Sequence, residues 1–226
     1  MQPLESRLAE PPILLLVRHG ETASNLSHRF AGWNDDQLTE GGREGVVELA
    51  RALGFRGGRL YASPVRRAVD TAEILATELG LEVRTVHDLH ELEVGEWKGL
   101  TEEEVSERWP EPYRAWLETP DILAVKGRES LEELRERARS AIDQIGRAEL
   151  SEDASPALVV THLALIRVLW LAARDRPLSE YHSVAGHHGE LYPLLWEGRG
   201  KLRVALGDPV SVDGLATGQR PWEGRS

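Results

Sequence analysis

His19 follows an unbroken apolar run, Ile13-Leu14-Leu15-Leu16-Val17, and sits between Arg18 and Gly20. His162 ends another such run, Leu158-Val159-Val160-Thr161, which begins after Pro156. A neutral imidazole is a competent nucleophile toward phosphorus. An arginine grips phosphate oxygens through two parallel donors and keeps its charge. A histidine with an adjacent arginine, delivered at the end of a buried strand, is therefore suited to phosphoryl transfer. A solitary histidine at a strand end would more simply be a satisfied structural residue, but His19 is not solitary.

Three further segments hold chemistry-bearing side chains. Ser63-Pro64-Val65-Arg66-Arg67-Ala68 offers two arginines just after a short strand candidate. Pro64 suits the first turn of a helix, which places Arg66 near a helix N-terminus, a favourable position for an anion. Arg67 reads as a solvated charge on the same helix. The segment His90 to Thr101 carries Glu91, Glu93 and Glu96; residue types alone do not choose a general acid among them. His28, His87, His90 and His182 are isolated. The pair His187-His188 invites a metal, but neighbours on a strand point to opposite faces and no carboxylate stands at a ligand spacing. No metal and no cofactor are expected.

The elements that must position these residues are legible in outline. The two apolar runs read as strands covered on both faces, and Leu60-Tyr61-Ala62 and Leu81-Glu82-Val83 are further candidates. Amphipathic helices are expected over Gly42 to Leu53 and Val65 to Leu79, and Leu163 to Ala173 is apolar enough to be a helix packed on the sheet. Another starts at the capping box Ser130-Leu131-Glu132-Glu133 and continues through Leu134, Ala138, Ile142 and Ile145. Alternating strands and helices predict a three-layer α/β/α domain, with a mostly parallel central sheet and helices on both faces. Ligands bind such sheets at the carboxyl ends of the strands, where both histidines fall. Residues 1–12 are expected to be a flexible lead-in, 13–206 the folded domain and 207–226 a surface tail.

Arg18-His19-Gly20-Glu21-Thr22 with Asn25 resembles the signature of the histidine phosphatase superfamily, which includes phosphatases and cofactor-dependent phosphoglycerate mutases. Ser63-Pro64-x-Arg66 resembles its second phosphate-binding segment. Glu91, four residues before Gly95 and followed by Trp97-Lys98-Gly99, resembles its general acid. Thr161-His162 resembles its second histidine segment. Leu163 departs from the small residue usual at that place, and Arg128 replaces the second glycine of a common Gly-Gly-Glu-Ser element.

The resemblance implies roles. His19 attacks phosphorus, Glu91 protonates the leaving group and then activates water, and Arg18, Arg66 and a protonated His162 hold the phosphoryl oxygens. Thr22, Asn25, Ala31, Gly32 and Leu163 are expected around the substrate, a small phosphorylated metabolite. The resemblance also suggests a homodimer. Two other readings stay open. Arg29-Phe30-x-Gly32-Trp33 is similar to the early loop of a mutase, whereas Glu96-Trp97-Lys98-Gly99 and the 71-residue spacing from Glu91 to His162 are those of a phosphatase. The fold could also serve as a non-catalytic scaffold.

Composition narrows the surroundings. The 226 residues carry a formal net charge of -11 and no cysteine, which removes disulfides and thiolate chemistry. So acidic a chain repels nucleic acid, and an anionic substrate requires a locally concentrated positive field. No run is long enough to span a membrane, and Met1 to Pro12 lacks the apolar region of a signal peptide. A cytoplasmic protein is expected.

Overall fold

An apolar run without alternation has no face fit for water, so Ile13–Val17 must be covered on both sides. The computed structural model, which describes residues 12–54, 58–149, 156–205 and 207–218, meets that demand with one central sheet. In chain order the elements are β1 (Ile13–Arg18), α1 (Ala23–Leu26), α2 (Glu40–Leu53), β2 (Arg59–Ala62), α3 (Arg66–Leu79) and β3 (Val83–Thr85). Then come α4 (Glu102–Arg108), α5 (Pro110–Glu118), α6 (Leu131–Glu149), β4 (Ala157–Thr161), α7 (Leu163–Ala172), β5 (Leu191–Gly198), β6 (Lys201–Val204) and α8 (Val212–Ala216).

The sheet order is β3-β2-β4-β1-β5-β6. The first four strands are mutually parallel, and β5 and β6 are antiparallel to their neighbours. Alternate residues of β1 feed two cores: Leu14 and Leu16 join the side covered by α6 and α7, while Ile13, Leu15 and Val17 join the side covered by α2, α3 and α8. A mixed α/β fold with a mostly parallel sheet is thus what the residues form. No helix of the described residues is long and apolar enough to cross a membrane.

Residues 1–11 lie outside the described residues, but Pro12 already accepts a hydrogen bond from Trp196 N–H at 3.1 Å. The expected tail is in part built into the domain. Val210 exchanges backbone hydrogen bonds of 2.8 and 2.9 Å with Leu191, and α8 buries Leu215 completely in the core beside α2. Glycine and proline content suggested a loose end; Val210 and Leu215 supply the apolar contacts that hold it.

Candidate active site

Adjacent parallel strands in matched register bring equivalent residues side by side. Arg18 pairs with Thr161 in register, and His19 N–H donates to Thr161 O at 3.0 Å. The residues that follow, His19 and His162, therefore face each other with ring centroids 5.1 Å apart. On the other flank of β4, Ser63 leaves β2, donates its N–H to Val160 O, and places its hydroxyl 2.7 Å from His162 Nε2. Three strand ends thus converge on one point.

The tautomer of His19 follows from its partners. Nδ1–H donates to Gly20 O at 2.8 Å. Nε2 accepts from Arg67 Nε–H at 3.0 Å, so it carries a lone pair. Burial pushes the His19 pKa well below the ordinary imidazole range, and the nearby positive charges of Arg67 and Arg18 push it the same way. The ring is a neutral base with its available lone pair on Nε2.

Arg67 is almost fully buried, with 1% of its surface exposed. Its other donors reach Asn34 Oδ1 at 2.9 Å and Gly32 O at 2.9 Å, and its guanidinium stands 3.9 Å from Glu91 Oε2. Arg66 is not in the site. Its Nε donates to the buried carboxylate of Asp70 at 2.7 Å, and its own side chain is 53% exposed. The physical reason is where α3 begins. Pro64 precedes the helix and Val65 is its N-cap, so Arg66 is the first helical residue. Successive residues turn by about 100° around a helix axis, and that rotation sends Arg67 inward and Arg66 to water. The arginine expected to face solvent is the one beside His19.

Glu91 comes within reach from the segment after β3. Its Oε1 accepts from Leu92 N–H at 2.8 Å, and its Oε2 lies 3.9 Å from His162 Nδ1. Glu93 and Glu96 are elsewhere: Glu93 O accepts from Glu129 N–H, and the exposed Glu96 faces Lys126. Arg18 donates to Gly186 O at 2.8 Å, and its Nε is buried without a partner. Desolvation lowers the Arg18 pKa to about 10, which leaves it charged at neutral pH. His162 Nδ1 is likewise buried without a hydrogen-bond partner. Burial and the Arg67 charge hold the His162 pKa well below its usual value. The second imidazole, expected to be protonated, is thus held in its neutral form.

The substrate-side residues divide. Asn25, Ala31, Gly32 and Leu163 line a cavity of about 160 Å³ together with Arg18, His19, Arg67 and Glu91. Asn25 Oδ1 is occupied by the N–H and hydroxyl of Thr22 at 3.0 and 3.1 Å. Thr22 is completely buried and acts as the N-cap of α1, outside the cavity lining. Its hydroxyl is consumed by the capping box, so its expected place beside substrate is corrected.

One contributor went unread in the sequence. His188 is not on a strand; it precedes β5, and its Nδ1–H donates to His19 O at 2.7 Å. Burial, with Arg18 adding to it, lowers the His188 pKa to about 4. Among the described residues no group of three or more metal-ligating side chains forms a metal site.

A family model described as histidine phosphatase superfamily (branch 1) matches residues 14–209. The chain belongs to the histidine phosphatase superfamily. A bifunctional protein of Mycobacterium tuberculosis is 37% identical over 73% of this chain, and the match spans 45% of that relative, so the chain corresponds to about half its length. Phosphoserine phosphatase 1 of Hydrogenobacter thermophilus is 31% identical over 75% of this chain and 80% of the relative. The solved structure of a mycobacterial glucosyl-3-phosphoglycerate phosphatase superposes with a TM-score of 0.76 at 28% identity, covering 86% of this chain and 97% of that one. Within this histidine phosphatase fold, His19, both inward arginines and Glu91 line one cavity, and the fully buried His162 stands beside His19, ring centroids 5.1 Å apart.

Proposed function

We propose that the chain is a phosphomonoester hydrolase that works through a phosphohistidine on His19. The observation that carries this reading is the His19 Nε2 lone pair, neutral, buried and bordered by Arg67 and Arg18. The named phosphatases among its relatives support the reading.

In the first step Nε2 forms a bond to phosphorus while the bond from phosphorus to the leaving oxygen breaks. Glu91, in its acid form, gives its proton to that oxygen. In the second step the Glu91 carboxylate takes a proton from water, the water oxygen bonds to phosphorus, and the phosphorus–nitrogen bond returns its electrons to His19. Arg67 Nε–H covers the lone pair in the free enzyme. A phosphoryl oxygen is a better acceptor for a guanidinium than an imidazole nitrogen, so substrate draws Arg67 off Nε2 and exposes it. The orphan nitrogens Arg18 Nε and His162 Nδ1 supply further donors for the equatorial oxygens. A dianion between them raises the His162 pKa toward protonation, reversing the effect of burial. Fixed donors of this kind are the main lever in phosphoryl transfer.

The mutase reading rests on Arg29-Phe30-x-Gly32-Trp33. Arg29 is engaged with Gly99 O at 2.8 Å and with Glu104, and Gly32 O holds Arg67. This loop therefore has architectural work that either activity needs. The test is product analysis. Given 3-phosphoglycerate with a trace of 2,3-bisphosphoglycerate, the protein should release inorganic phosphate and form negligible 2-phosphoglycerate. Rapid isomerisation without phosphate release would establish the mutase instead.

A further inference from the structure

Glu91 projects from a stretch with little regular structure. Its flanks are single 3₁₀ turns, His87–Leu89 before it and Gly95–Trp97 after it. A backbone without a helix or a strand ladder relies on other groups to satisfy its buried carbonyls. Three consecutive carbonyls lead into Glu91, and side chains hold all of them. Arg137, from the second turn of α6, donates from Nη1 to Asp88 O at 2.7 Å and to His90 O at 3.0 Å. The Thr161 hydroxyl donates to Leu89 O at 2.9 Å. Beyond Glu91, Glu129 N–H donates to Glu93 O at 2.9 Å.

These anchors are themselves fixed. The Glu129 carboxylate accepts from Arg137 Nε and Nη2 at 2.9 and 2.8 Å, a bidentate pair that sets the plane of the guanidinium. Thr161 is completely buried at the end of β4, and its own carbonyl accepts from His19 N–H at 3.0 Å. It thus grips the His19 segment with its backbone and the Glu91 segment with its side chain, one residue ahead of His162. The Glu91 carboxylate, so held, stands 3.9 Å from Arg67 and 3.9 Å from His162 Nδ1. Neither Arg137 nor Thr161 lines the cavity that holds His19.

We propose that Arg137 and Thr161 are positioning residues that hold Glu91 in place for proton transfer to the leaving oxygen. The proposal rests on the phosphatase reading, in which Glu91 is the general acid, and adds the side chains that set its place. Misplacing a reacting group by about 1 Å can cost about 10²-fold in rate. Loss of either anchor should act through Glu91. The damage should therefore follow the leaving group's need for a proton, and it should vanish once residue 91 has no proton to give.

The test compares kcat/KM on phenyl phosphate and p-nitrophenyl phosphate, because phenolate needs the proton far more than nitrophenolate does. Arg137→Met and Thr161→Val should each lower the phenyl over nitrophenyl ratio by roughly tenfold or more. Thr161→Ser keeps the hydroxyl and should keep most of the ratio. Arg137→Lys keeps the charge but not the fork; it should fall in between, and it carries the test if the Met variant does not fold. In a Glu91→Gln background the same substitutions should lower the ratio no further. A second readout needs no turnover. Leu92 N–H donates to Glu91 Oε1 at 2.8 Å, so its hydrogen exchange reports whether the carboxylate stays in place. Arg137→Lys and Thr161→Val should speed that exchange several-fold while Leu15 in β1 stays unchanged. An unchanged ratio in both variants, an equal further fall in the Glu91→Gln background, or unaltered Leu92 exchange would overturn the proposal. If wild type releases phosphate from neither ester, or Glu91→Gln leaves the ratio unchanged, the phosphatase reading or its acid fails on its own, and Leu92 exchange still decides the positioning.

Discussion

Arg67 Nε donates to His19 Nε2 at 3.0 Å, and this bond fixes the His19 tautomer and puts Arg67, not Arg66, beside the proposed nucleophile. Arg67→Lys should lower kcat/KM by about 10²–10³-fold, the usual result of removing one oxyanion donor, because a point charge cannot replace the planar fork. Arg66→Lys should change kcat/KM by less than about threefold, since the 53% exposed Arg66 side chain pairs with Asp70 and does not line the cavity that holds His19. Steady-state kinetics on p-nitrophenyl phosphate checks both. Equal losses in the two variants would contradict the assignment.

How much of this was readable beforehand depended on the range of the contacts. The strand-end histidines were legible because an apolar run followed by Arg-His-Gly needs no partner to be recognised. Arg67 was misread over a shift of the α3 start, and helix ends are the least certain part of any element. Thr22 was misread because its capping role depends on where Asn25 turns back. His188 reaches His19 across 169 residues, and no local pattern announces such a contact. Strands β5 and β6 and helices α4 and α5 were not anticipated, although Thr101 and Glu104 form a capping box visible in sequence. Strand β3 was expected two residues too early.

The three site imidazoles make stability depend on pH in a definite sense. His19, His162 and His188 all have pKa values lowered by folding. Between the folded and unfolded values the unfolded chain binds more protons, so stability rises with pH there. Their contribution is fully present above the unfolded value of about 6.5. It is lost as pH falls, and for His188 that loss runs down to about 4. Denaturant midpoints at pH 7.5, 6.0 and 5.0 should therefore fall steadily, and His188→Asn should flatten the slope. A midpoint that is level from pH 7.5 to 5.0 in wild type would contradict the burial of neutral imidazoles.

Leu163 and Gly186 are mutually adjusted. A Cβ on Gly186 would lie 2.0 Å from Leu163 Cδ1, and Gly186 has a φ of +69°. Gly186 O also anchors Arg18 at 2.8 Å. Gly186→Ala should therefore reduce kcat/KM by displacing Arg18. It should also cost at least the roughly 1–2 kcal/mol of a left-handed non-glycine residue. Adding Leu163→Gly should relieve the clash and return part of the activity but not the backbone cost. Thermal melts read beside kinetics separate the two. Full activity in Gly186→Ala would show that this anchor does not matter.

Glu91→Gln keeps the shape of the acid but neither donates nor accepts the proton. Hydrolysis of an alkyl phosphate should fall by about 10²–10⁴-fold. p-Nitrophenyl phosphate, whose leaving group needs no proton, should lose much less when phosphorylation of His19 limits the rate. Burst kinetics shows which step limits. Glu93→Gln and Glu96→Gln should show no dependence on the leaving group, and such a dependence in either would move the acid away from Glu91.

Hydrolysis by the proposed route requires a covalent phosphoryl group on His19. Rapid quenching into base during turnover of a ³²P-labelled phosphomonoester, followed by peptide mapping, tests it most directly. An acid-labile, base-stable label should be confined to the peptide containing His19, appear before phosphate release and be absent in His19→Ala. Label on another residue, or undiminished turnover in His19→Ala, would contradict it.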